Sequence, residues 1–220
     1  MNSIKNNNSY ENNKQPEEIY EGFYGNYSIN AKDILEVKLY RFSLCFCSAC
    51  LVAGISQWIF FGSKYIFLWL LLTSLFSNLS LIWIHIYMKS LHNILKLFSL
   101  VGLINLLIII YNFGPYNIGD FLVNDNINII LVGPVFASIV GIGFKEFFCF
   151  RNAEAALITL IFPCSIVLYI FKIISINVLA ISLLISSILF FILTIKKFKI
   201  DSSSDIGDKS IFEYMKKGSS

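Results

Sequence analysis

The feature that most constrains this chain is a series of six long apolar runs, at 42–61, 65–87, 97–112, 127–144, 155–171 and 175–195, separated by polar connections. A helix needs about 20 apolar residues to cross roughly 30 Å of hydrocarbon. Without water to bond exposed amides, only a helix or a closed barrel satisfies its own backbone there, and runs of this length fit helices. In water the same runs would form a large sticky surface. The pattern predicts an all-α, polytopic transmembrane helical bundle of six spans, the third and fifth being short. Its weakest division lies within 155–195. As one helix rising about 1.5 Å per residue, that stretch would be roughly 60 Å long, twice the hydrocarbon thickness, so Lys172 to Asn177 is expected to form a tight turn.

Composition supports the lipid reading: the 220 residues are 56% hydrophobic and only 14% charged, where a soluble domain carries about a quarter charged residues. The net charge of +3 is small and sits at span ends, so no nucleic-acid partner is implied. All five cysteines lie in or beside apolar segments, which implies no disulfide framework. The opening residues lack the basic-then-apolar order of a cleaved signal peptide, leaving insertion to the first span.

Lys and Arg near span ends are retained on the cytoplasmic side, and here they alternate at every connection. Lys32, Lys38, Arg41, Lys89, Lys96, Lys145, Arg151, Lys196, Lys197 and Lys199 fall on one side, against Lys64 and Lys172 on the other. Both termini are therefore expected to be cytoplasmic, and the unbroken alternation supports an even number of spans. Along the chain, 1–18 reads as a disordered polar tail and 19–41 as an aromatic interfacial segment, a small strand pair or turn, with a lead-in helix capped by Asn30 and Asp33. The transmembrane domain occupies 42–195. A tail with a possible docking helix follows over 196–220.

Several polar or small residues stand out. Gly133, Ala137 and Gly141 recur every fourth residue, a spacing that lets another helix approach closely in lipid. Pro134 and Pro163 are expected to kink their helices, and Gln57, Asn78 and Asn105 to face other helices, because an unpaired amide in hydrocarbon is costly. Cys45, Cys47 and Cys50 form a C-x-C-x-x-C pattern. On a helix its pairs are separated by roughly 200°, 60° and 140°, so the sulfurs cannot converge on one ion and read as packing residues.

His85, Lys89, His92 and Lys96 share a face if the helix continues between the second and third runs, as snorkelling anchors or as an anion, headgroup or proton site. Lys145, Glu146, Arg151 and Glu154 follow the fourth run on the same side, and an ionic cluster joining the two groups is a further expectation. No catalytic, cofactor or metal motif is present in the sequence.

The segments Gly22–Gly25, Leu35-Glu36, Tyr40-Arg41, His85–His92, Gly143–Phe150 with Glu154, and Asp205–Tyr214 resemble an uncharacterised family of cyanobacterial and plastid integral membrane proteins, domain of unknown function 2301. The resemblance implies a cyanobacterial plasma or thylakoid-type membrane and a shared polar face, and it supplies no activity. Three readings compete. The first is a non-enzymatic structural, assembly or interaction protein whose polar face and tail dock another protein. The others are a small-solute carrier or channel, and a membrane-embedded enzyme using the inner His and Glu residues.

Overall fold

The computed structural model describes residues 18–86 and 88–211. The polar tract 1–18 lies, but for Glu18, outside them, as do Tyr87 and the tail beyond Ile211. The chain opens with an antiparallel hairpin, β1 (Glu18–Gly22) and β2 (Gly25–Ile29), in which Tyr20 faces Tyr27. Gly25 turns it with φ +134°, a conformation side chains disfavour.

Among the described residues, six helices are long and apolar enough to span: α1 (Ala31–Phe61), α2 (Ile66–Trp83), α3 (Lys89–Phe113), α5 (Ile129–Phe150, its span starting at Asn126), α6 (Ala153–Ile170) and α7 (Ile176–Lys197). The short α4 (Ile118–Asn124) sits in the 113–126 connection, and α8 (Ser202–Ile206) follows α7. At about 1.5 Å per residue, α1 is roughly 46 Å long, some 15 Å more than the hydrocarbon. Its charged first turns, from Lys32 to Arg41, thus lie at or beyond the membrane edge. Asn30 N–H donates to Asp33 at 2.8 Å, closing the expected N-terminal cap.

Each long helix packs on the next and α7 returns to α1, closing a ring α1-α2-α3-α5-α6-α7. Leu44, Leu81, Ile139, Ile158, Phe162, Leu179 and Phe190 fill its core, while Phe42, Phe60, Leu160 and Ile181 point outward. Apolar residues on both faces are what a lipid-embedded bundle requires, since lipid solvates the outward set as well as the core solvates the inward one. Hydroxyls link the helices inside. Ser77 of α2 lies 3.1 Å from Ser138 of α5 and 3.4 Å from Ser99 of α3, and Ser48 of α1 lies 3.0 Å from Thr194 of α7.

Several sequence expectations need correction. The small-residue stripe is not a continuous packing face: a side chain at Gly133 would meet nothing within 4 Å, and Ala137 is exposed. Gly141 does face Leu95 of α3. The close approach on α5 comes from the neighbouring helix, where a Cβ on Gly102 would fall 2.6 Å from the Val135 backbone nitrogen. Asn78 and Asn105 do bridge helices, to Ser99 O (3.2 Å) and Leu131 O (3.0 Å), the latter in the stretch Pro134 interrupts. Gln57 instead donates to Gly62 O at the end of its own helix. The turn between α6 and α7 begins at Phe171 and takes Lys172 into the left-handed region, φ 58°.

Candidate functional site

Both described ends of the chain meet on one side of the bundle, called here the terminal face. Gly22 makes this contact possible, since a Cβ there would fall 2.6 Å from Ser210 Oγ. Asp208 accepts from the Phe23 N–H at 2.7 Å, and Ser210 Oγ from the Tyr24 N–H at 3.0 Å. Burial alone would raise the Asp208 carboxyl, but these amide and hydroxyl donors outweigh it and hold it below its ordinary range. Ile206 joins Tyr27, Ile29 and Val37 in a small apolar core beneath the hairpin.

Under this cap lies a buried ionic network. Glu146, from the last turns of α5, accepts from Tyr40 Oη (2.9 Å) and Lys145 Nζ (3.1 Å) on one oxygen and from Lys197 Nζ (2.6 Å) on the other. Lys197, ending α7, also donates to Asp205 Oδ1 at 2.6 Å. Arg41 of α1 binds Asp205 Oδ2 through Nε at 2.7 Å, and its Nη2 donates to the Asp201 carbonyl at 3.1 Å. Glu146, Lys197 and Asp205 side chains are at most 2% exposed.

Every carboxylate oxygen in this network has a cationic partner, as burial demands. Three cations face two carboxylates, leaving one positive charge in excess. Aromatic faces offset part of it: Lys197 Nζ lies 4.7 Å from the Phe150 ring centre and 5.2 Å from that of Tyr40, with Lys145 at 5.6 Å from both.

The structure separates most of the residues expected to form one cluster. The helix does not continue from the second run into the third, because residues 84–86 and Met88 are non-helical and His85 leaves the line of Lys89, His92 and Lys96. His85 Nε2 approaches Glu36 at 3.5 Å, while His92 Nε2 contacts the Leu81 carbonyl at 2.8 Å. Glu154 pairs with Lys196, not Arg151. Arg151 ends α5 in a left-handed conformation and is exposed. Among the described residues, Lys89, Lys96 and Arg151 form no ion pair. Only Lys145 and Glu146 of the expected set enter the buried network. Of its other members, Arg41 and Lys197 stood out as charges at span ends, which topology alone explains, while Tyr40 and Asp205 fell only in segments that carry the family resemblance.

Asp33, Glu36 and His85 bring donor atoms within 4.8 Å of one another, a carboxylate and imidazole set chemically suited to a hard or borderline cation. Lys209 already places its ammonium 2.5 Å from Asp33 Oδ2, and Lys32 lies 3.9 Å from Glu36. These internal cations oppose a metal there. Burial pushes the His85 imidazole below its ordinary value. Glu36 and Asp33 pull it back up, and Lys145 and Lys209 reinforce the lowering.

A model of the family described as uncharacterized integral membrane protein, DUF2301, matches residues 79–214, more than half of the chain. The chain belongs to this family. No curated protein and no solved structure matches it. The matched range contains Lys145, Glu146, Lys197 and Asp205, while Tyr40 and Arg41 precede it.

Proposed function

We propose that this integral membrane protein is a non-enzymatic assembly or interaction partner that presents its terminal face to another protein. One observation carries the reading. Three segments far apart in sequence, the hairpin with early α1, the end of α5, and the stretch from Lys197 to Ser210, are tied into one preformed surface by buried ion pairs and, at the hairpin, by a hydrogen bond from the Phe23 amide to Asp208. A surface built in advance loses less freedom on binding than one that must order. At its hairpin turn Phe23 is 85% exposed, its ring edge-on to Tyr24, the type of aromatic anchor that dominates interfaces. The tail enters this reading as a component of the face: its described part docks on its own chain, so a partner would engage the assembled surface.

The Lys and Arg asymmetry supports placing this face in the cytoplasm, and the family resemblance supports a cyanobacterial or plastid membrane. The carrier reading is favoured only by an apolar cavity on the opposite side, whose walls suit a hydrophobic molecule better than an ion. The enzyme reading rests on Asp33, Glu36 and His85, which Lys209 opposes.

The test is affinity isolation of the full chain in mild detergent, beside a Phe23→Ser variant. A stoichiometric protein partner is expected with the parent and lost in the variant, whose thermal stability stays unchanged. If the parent retains no partner, or if the variant retains it fully, the terminal face is not the interface. Deleting the tail would be uninformative, because losing Asp205 also strips Arg41 of its carboxylate and Lys197 of one of its two.

A further inference from the structure

On the side away from the termini the ring of helices leaves an apolar cavity of about 70 Å³ among α1, α2, α4, α5, α6 and α7. Its walls include Trp58, Trp69, Phe136, Tyr169 and Leu183. A groove shares Trp58, Val123 and Ile176 with it and continues along α7 past Asn177, Ala180 and Ile181, between α1 and α7. In a bilayer that groove opens onto hydrocarbon. Apolar walls of this kind do not hold water, which needs several polar partners.

One wall residue breaks the apolar pattern. Thr73, on α2, is 1% exposed, and its Oγ1 is buried without a hydrogen-bond partner among the described residues. A helical hydroxyl ordinarily bonds the carbonyl one turn back, as the adjacent Ser74 does to Leu70 O at 2.8 Å. Thr73 does not, so the cavity contains a donor and acceptor with an unmade bond. It lies seven residues into α2, roughly 10 Å below that helix's outer end.

We propose that this cavity is an intramembrane binding site for a single hydrocarbon chain bearing a terminal hydroxyl or carbonyl, admitted laterally between α1 and α7, with its oxygen bonded to Thr73. The chain fills the apolar space along Trp58 and Trp69, and the oxygen satisfies the buried hydroxyl. The site is independent of the terminal face and its ionic network, so either assignment can fail alone.

The chain's tryptophans make the test direct. With Trp83→Phe, the remaining two, Trp58 and Trp69, both line the cavity. The full-length protein in lipid-free detergent is titrated with a long-chain alcohol brominated at mid-chain, and with the matching brominated alkane, while tryptophan fluorescence is read. Saturable quenching is expected for both, with the alcohol about tenfold tighter, the factor one hydrogen bond supplies. Thr73→Val should bring the alcohol to the alkane's affinity, and Val123→Phe should abolish saturation. If Val123→Phe does not fold, Asn177→Phe at the exposed mouth should slow quenching at least severalfold. Quenching that stays linear in probe, equal affinities for alcohol and alkane in the parent, or indifference to both blocking substitutions would overturn the site.

Discussion

Lys197 Nζ lies 2.6 Å from Glu146 Oε2, joining the end of the last span to the fifth helix across 51 residues of chain. Because the same ammonium also holds Asp205, one side chain ties the bundle to the tail. Removing one member of a buried pair leaves the other charge desolvated, which costs more than the pair itself contributes.

Lys197→Met should therefore lower unfolding stability in detergent by about 3–5 kcal/mol. Glu146→Gln should also destabilise, and the double variant should lose at least 1 kcal/mol or so less than the two singles added together. Lys89→Glu should not rescue Glu146→Lys, since Lys89 has no ion pair among the described residues. Thermal or denaturant unfolding of the four proteins decides it: additive losses would mean the contact carries no coupling.

His85 gives a pH dependence whose sign follows from its surroundings. Its folded-state pKa is lowered from 6.5, mainly by burial, so the unfolded chain binds a proton more readily. Its contribution is fully present above about 6.5 and is lost as pH falls through the lower folded value. Limited proteolysis of the hairpin should accelerate on acidification in the parent, and less steeply in His85→Gln. A parent and variant with the same pH profile would remove His85 from the account.

Helix contact through Gly102 predicts an asymmetry between two substitutions of similar size. Gly102→Leu must displace the Val135 backbone and should cost at least about 1–3 kcal/mol. Ala137→Leu, on an exposed face, should stay within about 0.5 kcal/mol. Comparable losses in detergent melting would mean that Ala137 meets a second molecule.

The orientation is tested by labelling. In a chain whose native cysteines are replaced, Phe23→Cys and Asn117→Cys should react with a membrane-impermeant maleimide from opposite sides of sealed vesicles. The Asn117 site is expected outside. Reaction of both from one side would contradict the six-span bundle.

How much of this was legible in the sequence depends on the range of the forces involved. Apolar run length maps directly onto hydrocarbon thickness, so the spans, their number and the turn after α6 follow from the order of residues. Asn30 with Asp33 was equally readable, because a cap is made within one turn. The continuous face from His85 to Lys96 was not, since residues 84–86 leave the helix where local pattern still allows it to continue.

The ionic network shows the limit most clearly. Arg41, Lys145 and Lys197 have the same sequence signature as any span-end cation, and all three were readable as topology charges. Asp205 sat in a tail that read as a docking segment for another protein. Only the tertiary structure decided which charges snorkel and which are buried, because a long flexible cation at the membrane edge can reach either water or a carboxylate. The choice depends on which helix ends come within a few ångströms of each other. Likewise Gly133 and Ala137 matched a packing spacing that α5 leaves unused, while an isolated Gly102 makes the close contact. Periodicity along one helix specifies which residues share a face; which face meets a neighbour is set by the packing of all six helices together.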